Sequence, residues 1–332
     1  MMIRLRRLPL LLVVFLFLAG CQIVSGNQAA NEDRYYPGKL KIEKAEKLSP
    51  KERDIEARFA KYLEDNTGEA IALYRKNFGN VINADNAREL SKDYAPGGVE
   101  VNDPQTNAAR GMWSNAVHEP ASALVKEIYR RELKKRPGPD RLALVVFTAG
   151  GTAAGKSTAV RSSPEIARIV QTAQIVYDST LSSGRSANER IMQALEAGKK
   201  VSIVYVHRDP VEAFVNGALG QIDRMGRTIP LEVFLQTHVG APKVALQLAE
   251  KFDGDPRVAI GVVDNSRGRG NAAVVDLDFL KRIANKYPPQ GLRAKLTAAL
   301  ENAYEKGKRG ERGGISETVY RAFKGASFTG DH

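Results

Sequence analysis

With 332 residues, 43% of them hydrophobic, the chain can bury one large core, or one core with a small appendage, and its composition excludes a disordered tail. A formal net charge of +12 favours anionic partners: phosphate-bearing metabolites, nucleic acid or acidic lipid headgroups. Cys21 is the single cysteine, which excludes an intramolecular disulfide.

The chain opens MMIRLRRLPLLLVVFLFLAGC, with a basic start (Arg4, Arg6, Arg7), an apolar run over residues 8–18 and small residues ahead of Cys21. That layout is expected of a secretory signal over residues 1–20, and the run is too short for a comfortable membrane span. Leu18-Ala19-Gly20-Cys21 resembles the lipobox of bacterial lipoproteins, which implies cleavage before Cys21, lipidation of that residue and a protein held on a membrane of the cell envelope. The alternative is a fortuitous apolar start and a cytoplasmic chain. Removing residues 1–20 takes away three arginines and no acid, so the remainder is still basic. Residues 21–49 are polar, without a sustained apolar period, and are expected to be a flexible tether.

The folded body is expected to begin near Ser49. PKERDIEARFAKYLEDN reads as a helix with proline in its first turn and Ile55, Phe59 and Tyr62 on one face, and TGEAIALYRKNFG as a second helix stopped by Gly79. Short apolar runs then alternate with amphipathic segments, which predicts an α/β fold with a largely parallel sheet flanked by helices, spanning residues 50–275. Strands are expected at residues 81–84, 142–148, 174–177, 201–206 and 258–263. HEPASALVKEIYRREL and SANERIMQALEAG read as helices, the latter with Ser186 and Glu189 at capping-box spacing and Gly198 as its stop. Residues 276–332 read as a helical extension interrupted by proline and glycine. Ser162-Ser163-Pro164 is expected to cut the helix after residue 155 short and restart it.

The strand LALVVF leads into AGGTAAGKST, which holds the pattern G-x-x-x-x-G-K-[ST] as Gly150, Gly155, Lys156 and Ser157. In such a loop backbone N–H groups converge on phosphate oxygens, and the following helix adds its positive end. Gly150, Gly151, Thr152, Ala153, Ala154, Gly155, Lys156, Ser157 and Thr158 are therefore the expected ATP-binding residues, with Lys156 reaching the β and γ phosphates and the Ser157 hydroxyl ligating Mg²⁺. The competing reading is a glycine turn with a solvated lysine.

A phosphate loop alone does not separate an ATPase from a kinase; acids at strand ends and clustered arginines do. Asp178 in IVYDST and Asp85 in VINADNARE each follow a strand, where ligands of parallel sheets gather, although an isolated aspartate there also serves as a helix cap. Arg224 and Arg227 flank Gly226, a place where a mobile lid could carry cations to the phosphates, and NSRGRGNA is a second candidate arginine loop. No RNA-binding or helix-turn-helix signature accompanies the basic balance, so nucleic acid is not the favoured partner.

Together these residues resemble the zeta-toxin family of phosphate-loop kinases, which phosphorylate the 3′-hydroxyl of a UDP-N-acetylamino sugar with ATP. The resemblance covers roughly residues 80–263. AGGTAAGKST matches directly; Asp178-Ser179-Thr180-Leu181 is similar to the family's Glu-Gly-Thr-Leu, which implies substrate contacts for Asp178 and Thr180; and Gly226-Arg227-Thr228-Ile229-Pro230 is similar to a segment whose arginine contacts phosphate, with Arg224 standing for a second arginine. The family's base-bearing segment is missing after the phosphate loop. It is found upstream instead, as VINADNARE, with Asp85 and Arg88 at matching spacing, followed by the helix that opens at His118 and Glu119. The resemblance thus implies a circular permutation, with Asp85 as general base, Lys156, Arg224 and Arg227 on the transferring phosphoryl group, and Arg88 and His118 on the substrate side. The implied reaction is ATP-dependent phosphorylation of a small anionic hydroxyl substrate. Aspartate in place of glutamate at position 178 leaves the substrate open, and no residue specifies an antitoxin partner. A polynucleotide kinase or plain NTPase is the second reading; a lipid-anchored nucleotide-binding protein without turnover is the third.

Overall fold

Ser49 opens the folded body with a reciprocal cap. The Ser49 N–H donates to the Glu52 carboxylate at 2.8 Å while the Glu52 N–H reaches the Ser49 hydroxyl at 3.4 Å, starting helix α1 (Pro50–Asp65). Ile55, Phe59 and Leu63 form its buried stripe, and Tyr62 packs at the margin. Helix α2 (Thr67–Phe78) ends at Gly79, whose φ of +58° suits a residue without a Cβ. The computed structural model describes residues 40–268 and 270–325, without the side chains of residues 223–225; the expected signal segment and Cys21 lie outside these described residues. Residues 40–49, expected as part of the tether, run along the body: Leu40 and Ile42 pack on the core, and the Ala45 N–H donates to Glu56 at 2.7 Å.

The strands are β1 (Val81–Ile82), β2 (Leu142–Ala149), β3 (Ala173–Asp178), β4 (Lys200–His207), β5 (Val258–Asp264) and β6 (Ala273–Val275), in the sheet order β1-β3-β2-β4-β5-β6. All pairs are parallel except β5 with β6. The phosphate-loop strand β2 therefore sits inside the sheet, between the strands bearing Asp178 and His207. The upstream β1 joins the edge beside β3, which is how a segment early in the chain reaches a site built much later.

β2 through β5 are near-continuous apolar runs with helices packed on both faces over much of their length. One face, with Val145, Phe147, Ile175, Tyr177, Ile203, Tyr205 and Val262, packs on α1, α2, α5 (His118–Lys134), α8 (Gly184–Glu196), α11 (Leu231–Lys251) and α12 (Leu277–Ala284). The alternate residues Leu144, Val146, Val176, Val204, Val206 and Val263 face α6 (Lys156–Ser162) and α7 (Pro164–Thr172). Those two short helices leave part of β4 and β5 open as an apolar groove of about 290 Å³, away from the phosphate loop. The expected break is present: Ser163 ends α6 and caps α7, its hydroxyl accepting the Ile166 N–H.

Three elements differ from expectation. β1 has two residues, because Asn83 caps the short helix α3 (Ala84–Arg88), followed after a loop by α4 (Pro104–Trp113). The capping box at Ser186 and Glu189 does not form: α8 starts at Gly184 after Ser183, so Ser186 lies inside the first turn, where its hydroxyl accepts from Arg190. Gly198, with φ +71°, does terminate that helix. The segment after β4 divides into α9 (Pro210–Ala213), a π-helical turn (Phe214–Leu219) and α10 (Gly220–Met225). A Cβ on Gly217 would stand 2.9 Å from the Ala153 Cβ, so the π turn lies where the helix meets the phosphate loop. The C-terminal extension is split between two cores. α12 buries Leu280 and Ile283 in the main one, while α13 (Pro289–Lys308) and α14 (Glu317–Phe323) pack with the π turn and α11 through Phe214, Phe234 and Phe323.

Candidate active site

The phosphate loop is shaped by contacts that only glycine allows. A Cβ on Gly150 (φ +138°) would lie 2.3 Å from the Val206 carbonyl oxygen, and one on Gly155 (φ +79°) 2.4 Å from Asn265 Nδ2. Gly151 lies against the His238 ring, 2.5 Å from where its Cβ would be. Behind the loop, three side chains occupy its backbone: His238 Nε2–H donates to the Thr152 carbonyl at 2.8 Å, Thr237 Oγ1 accepts the Thr152 N–H at 3.2 Å, and Asn265 Nδ2 donates to the Ala154 carbonyl at 2.8 Å. Burial pushes His238 down to about 4, so the ring is neutral, and the Thr152 carbonyl identifies Nε2 as the protonated nitrogen. The Gly150, Thr152 and Ala154 amides are engaged by Thr180, Thr237 and Gly151, and Lys156 and the exposed Ser157 line the cleft.

Opposite the loop stand the two aspartates. Asp178, at the end of β3, accepts from Thr148 Oγ1 at 2.5 Å and from Asn83 Nδ2 at 2.6 Å, and lies 3.8 Å from Lys156 Nζ. Asp85, in the first turn of α3, pairs with Arg88 at 3.1 Å and faces Arg227 at 3.9 Å. Partial withdrawal from solvent works to raise the Asp85 carboxyl, but the charges of Arg88, Arg227 and Lys156 outweigh it and hold the group below the usual carboxylate range. Asp85 is thus ionised at neutral pH, while its side chain, 45% accessible, opens onto the cleft.

Arg88 also donates to Ser114 Oγ at 3.0 Å and to His118 Nδ1 at 2.6 Å. The protein packed around the cleft wall and the charge of Arg88 lower His118 to about 4 although the ring is 49% accessible, so in its neutral form it can accept that bond. Thr180 contributes its carbonyl to the Gly150 N–H at 3.1 Å, and its hydroxyl meets Ser182 Oγ at 3.0 Å. Asp85, Arg88, His118, residues 152–158, Asp178, Thr180 and Arg227 line one cleft of about 750 Å³, a volume suited to small ligands.

The expected arginine lid is docked. Arg227 Nη2 donates to Glu89 Oε1 at 3.3 Å, and Glu89 is held by Arg110 at 3.0 and 2.5 Å in a buried pair. Gly226 (φ +63°) rests on α4, where a Cβ would fall 1.9 Å from the Asn107 carbonyl oxygen. Arg227 accordingly stands on the acidic side of the cleft, between Asp85 and Glu89. The Arg224 side chain lies outside the described residues. Arg267 of NSRGRGNA is exposed and does not line the cleft; that segment supplies Asn265 instead.

No protein-family model matches the chain, and no curated protein matches it in sequence. Among solved structures it is similar to the native AvrRxo1-ORF1:AvrRxo1-ORF2 complex, at 15% identity over 65% of this chain and 94% of that one, with a TM-score of 0.37. It is also similar to the same complex with sulphate ions, at 14% identity over 67% and 94%, with a TM-score of 0.39. At such overlap the activity has to be argued from this chain's own residues.

Several site residues carried no local signal. Asn83 and Glu89 lie within VINADNARE but at positions given no role there, and Arg110, Thr237 and His238 belong to no motif; all act through partners distant in the chain or, like Asn83 to Asp85, through a cap. Among the described residues no group of three or more His, Cys, Asp or Glu forms a metal cage. The exposed Ser157 beside a phosphate loop fits Mg²⁺ held jointly with nucleotide phosphates, the usual manner for that ion.

Proposed function

We propose that this protein is an ATP-dependent kinase that transfers the γ-phosphoryl group to a hydroxyl of a small anionic acceptor, with UDP-N-acetylamino sugars the first class to test. The observation that carries the reading is the meeting of Asp85 from the upstream segment with Lys156 and Arg227 in one cleft. An ionised acid in the same cleft as the loop lysine can take the proton of an acceptor hydroxyl in a kinase or orient water in an NTPase, and room for an acceptor in the cleft of about 750 Å³ favours the kinase.

In this reading residues 150–158 would hold ATP and the Ser157 hydroxyl would help hold Mg²⁺, which when bound would supply neutralisation of phosphate charge. The ionised Asp85 accepts the proton of the attacking hydroxyl, Lys156 and Arg227 face the charge that develops on the transferring group, and Asp178, Thr180, Arg88 and His118 orient the acceptor. Arg227 has to shift its bonds from Glu89 toward phosphate as ligands enter. Attachment to a membrane through lipidated Cys21 belongs to the same proposal and sets a sharp requirement, since ATP must reach the domain on whichever side it occupies. Mass spectrometry of membrane fractions reads that N-terminus directly.

Labelled ATP offered with a panel of nucleotide sugars and oligonucleotides tests the reaction. Label on a nucleotide sugar, lost in Asp85→Asn with ATP binding intact, supports it. Label on oligonucleotide alone, or release of phosphate with no labelled acceptor, rejects the small-acceptor assignment.

A further inference from the structure

Between the two acids of the cleft stands Asn83, two residues ahead of Asp85 in VINADNARE. Its Oδ1 accepts the Asp85 N–H at 2.6 Å, capping α3, and its Nδ2 donates to Asp178 Oδ2 at 2.6 Å. Only one orientation of the amide serves both neighbours, because the backbone N–H requires an acceptor and the carboxylate a donor. The Asn83 backbone is fixed too: its N–H donates to Tyr74 Oη at 2.9 Å, and the Tyr74 hydroxyl, fully buried on α2, lies 3.0 Å from the Val81 carbonyl. β1 pairs with β3 at two positions, Val81 with Val176 and Ile82 with Tyr177, so the sheet by itself gives the Asp85 turn little purchase.

We propose that Asn83 is a positioning residue of the phosphotransfer site. Its amide ties the turn that carries Asp85 to the Asp178 carboxylate, giving the two acids and Lys156 one spacing, although they come from three separate elements. The proposal rests on the kinase reading above, and it assigns Asn83 a role beyond capping. A cap needs only an acceptor, and serine or aspartate supplies one as well as asparagine. The tie to Asp178 needs the second, donating half of the amide.

Two substitutions in the full chain separate the roles. Asn83→Ser keeps an acceptor for the Asp85 N–H and loses the donor to Asp178. The expected result is an unchanged KM for ATP and a melting temperature lowered only by the loss of one charge-assisted hydrogen bond, with kcat lower by about 10- to 100-fold, the scale of a sub-ångström to ångström misplacement of reacting groups. Asn83→Asp keeps the cap and sets a carboxylate against Asp178. The charges facing that pair are Lys156 from α6 and Asp85 and Arg88 from α3. Repulsion raises the folded-state pKa of the new pair, so the variant melts close to the parent near about pH 4 and falls further below it as the pH rises to about 8. A parental kcat in Asn83→Ser overturns the proposal, as does a melting gap in Asn83→Asp that stays constant with pH. If the parent protein phosphorylates no acceptor, the kinase reading fails and the catalytic role assigned to Asn83 fails with it, while the melting series still decides whether Asn83 couples the two acids.

Discussion

Removing the Glu89 carboxylate is expected to destabilise the protein by about 3–5 kcal/mol, because it strands a buried arginine. Glu89 and Arg110 are 1% and 5% accessible and share two bonds, from Arg110 Nε at 3.0 Å and Nη2 at 2.5 Å. In Glu89→Ala, Arg110 keeps the Val101 carbonyl at 2.7 Å and Asn107 Oδ1 at 3.1 Å, both through Nη1. Those survivors place the cost toward the lower end, about 3 kcal/mol, and the loss of the Arg227 contact adds little because Arg227 is 28% accessible and retains Asp85. Urea unfolding read by circular dichroism and fluorescence gives the number from the midpoint and slope. The companion Glu89→Leu/Arg110→Met removes both charges and should be more stable than Glu89→Ala, since an apolar pair of similar volume leaves nothing buried and unpaired. A loss below about 1 kcal/mol in Glu89→Ala, or a double variant no better than the single, refutes the account of a buried charge pair anchoring the Arg227 turn.

Asp85→Asn should lower phosphotransfer by about 10²- to 10⁴-fold, the usual contribution of a general base, while equilibrium binding of a fluorescent ATP analogue stays near that of the parent. Gly150→Ala should abolish nucleotide binding and lower the melting temperature, because its methyl group meets the Val206 carbonyl at 2.3 Å and the backbone has φ +138°; isothermal titration and thermal unfolding read the two effects. His207 and His238, both held near 4 by burial against an ordinary value near 6.5, impose a pH dependence. Their depressed folded-state pKa values give stability that is present above about 6.5 and lost as the pH falls toward 4, when the unfolded chain takes up protons that the folded chain refuses. The melting temperature should therefore drop over that window, and less steeply in His238→Gln, whose amide can still donate to the Thr152 carbonyl.

Much of the architecture follows from local sequence. The apolar run LALVVF, the two glycines with lysine and serine, the Ser163-Pro164 restart and the Gly79 and Gly198 stops each act within a few residues, and each is found where its local chemistry places it. Element ends departed from the expected pattern at three places. Asn83 shortens β1 by capping a helix, Gly184 begins α8 two residues ahead of Ser186, and β6 exists because β5 offers its edge to Ala273–Val275.

The candidate site divides along the same line. The residue types expected to bind phosphate are readable from residues 150–158, and Asp85, Asp178 and Arg227 are readable as candidates because ligands of parallel sheets gather past the strand ends. What the tertiary structure alone decided is which of them meet, and how they are held. Parallel pairing of β1 with β3 delivers Asp85 to the cleft, Asn83 ties it to Asp178, the Glu89–Arg110 pair docks Arg227 on the acidic side, and His238 and Asn265 grip the loop from behind. These are single side-chain contacts between segments far apart in the chain. They leave no period or spacing behind, because distance along the chain carries no information about a contact that only folding creates.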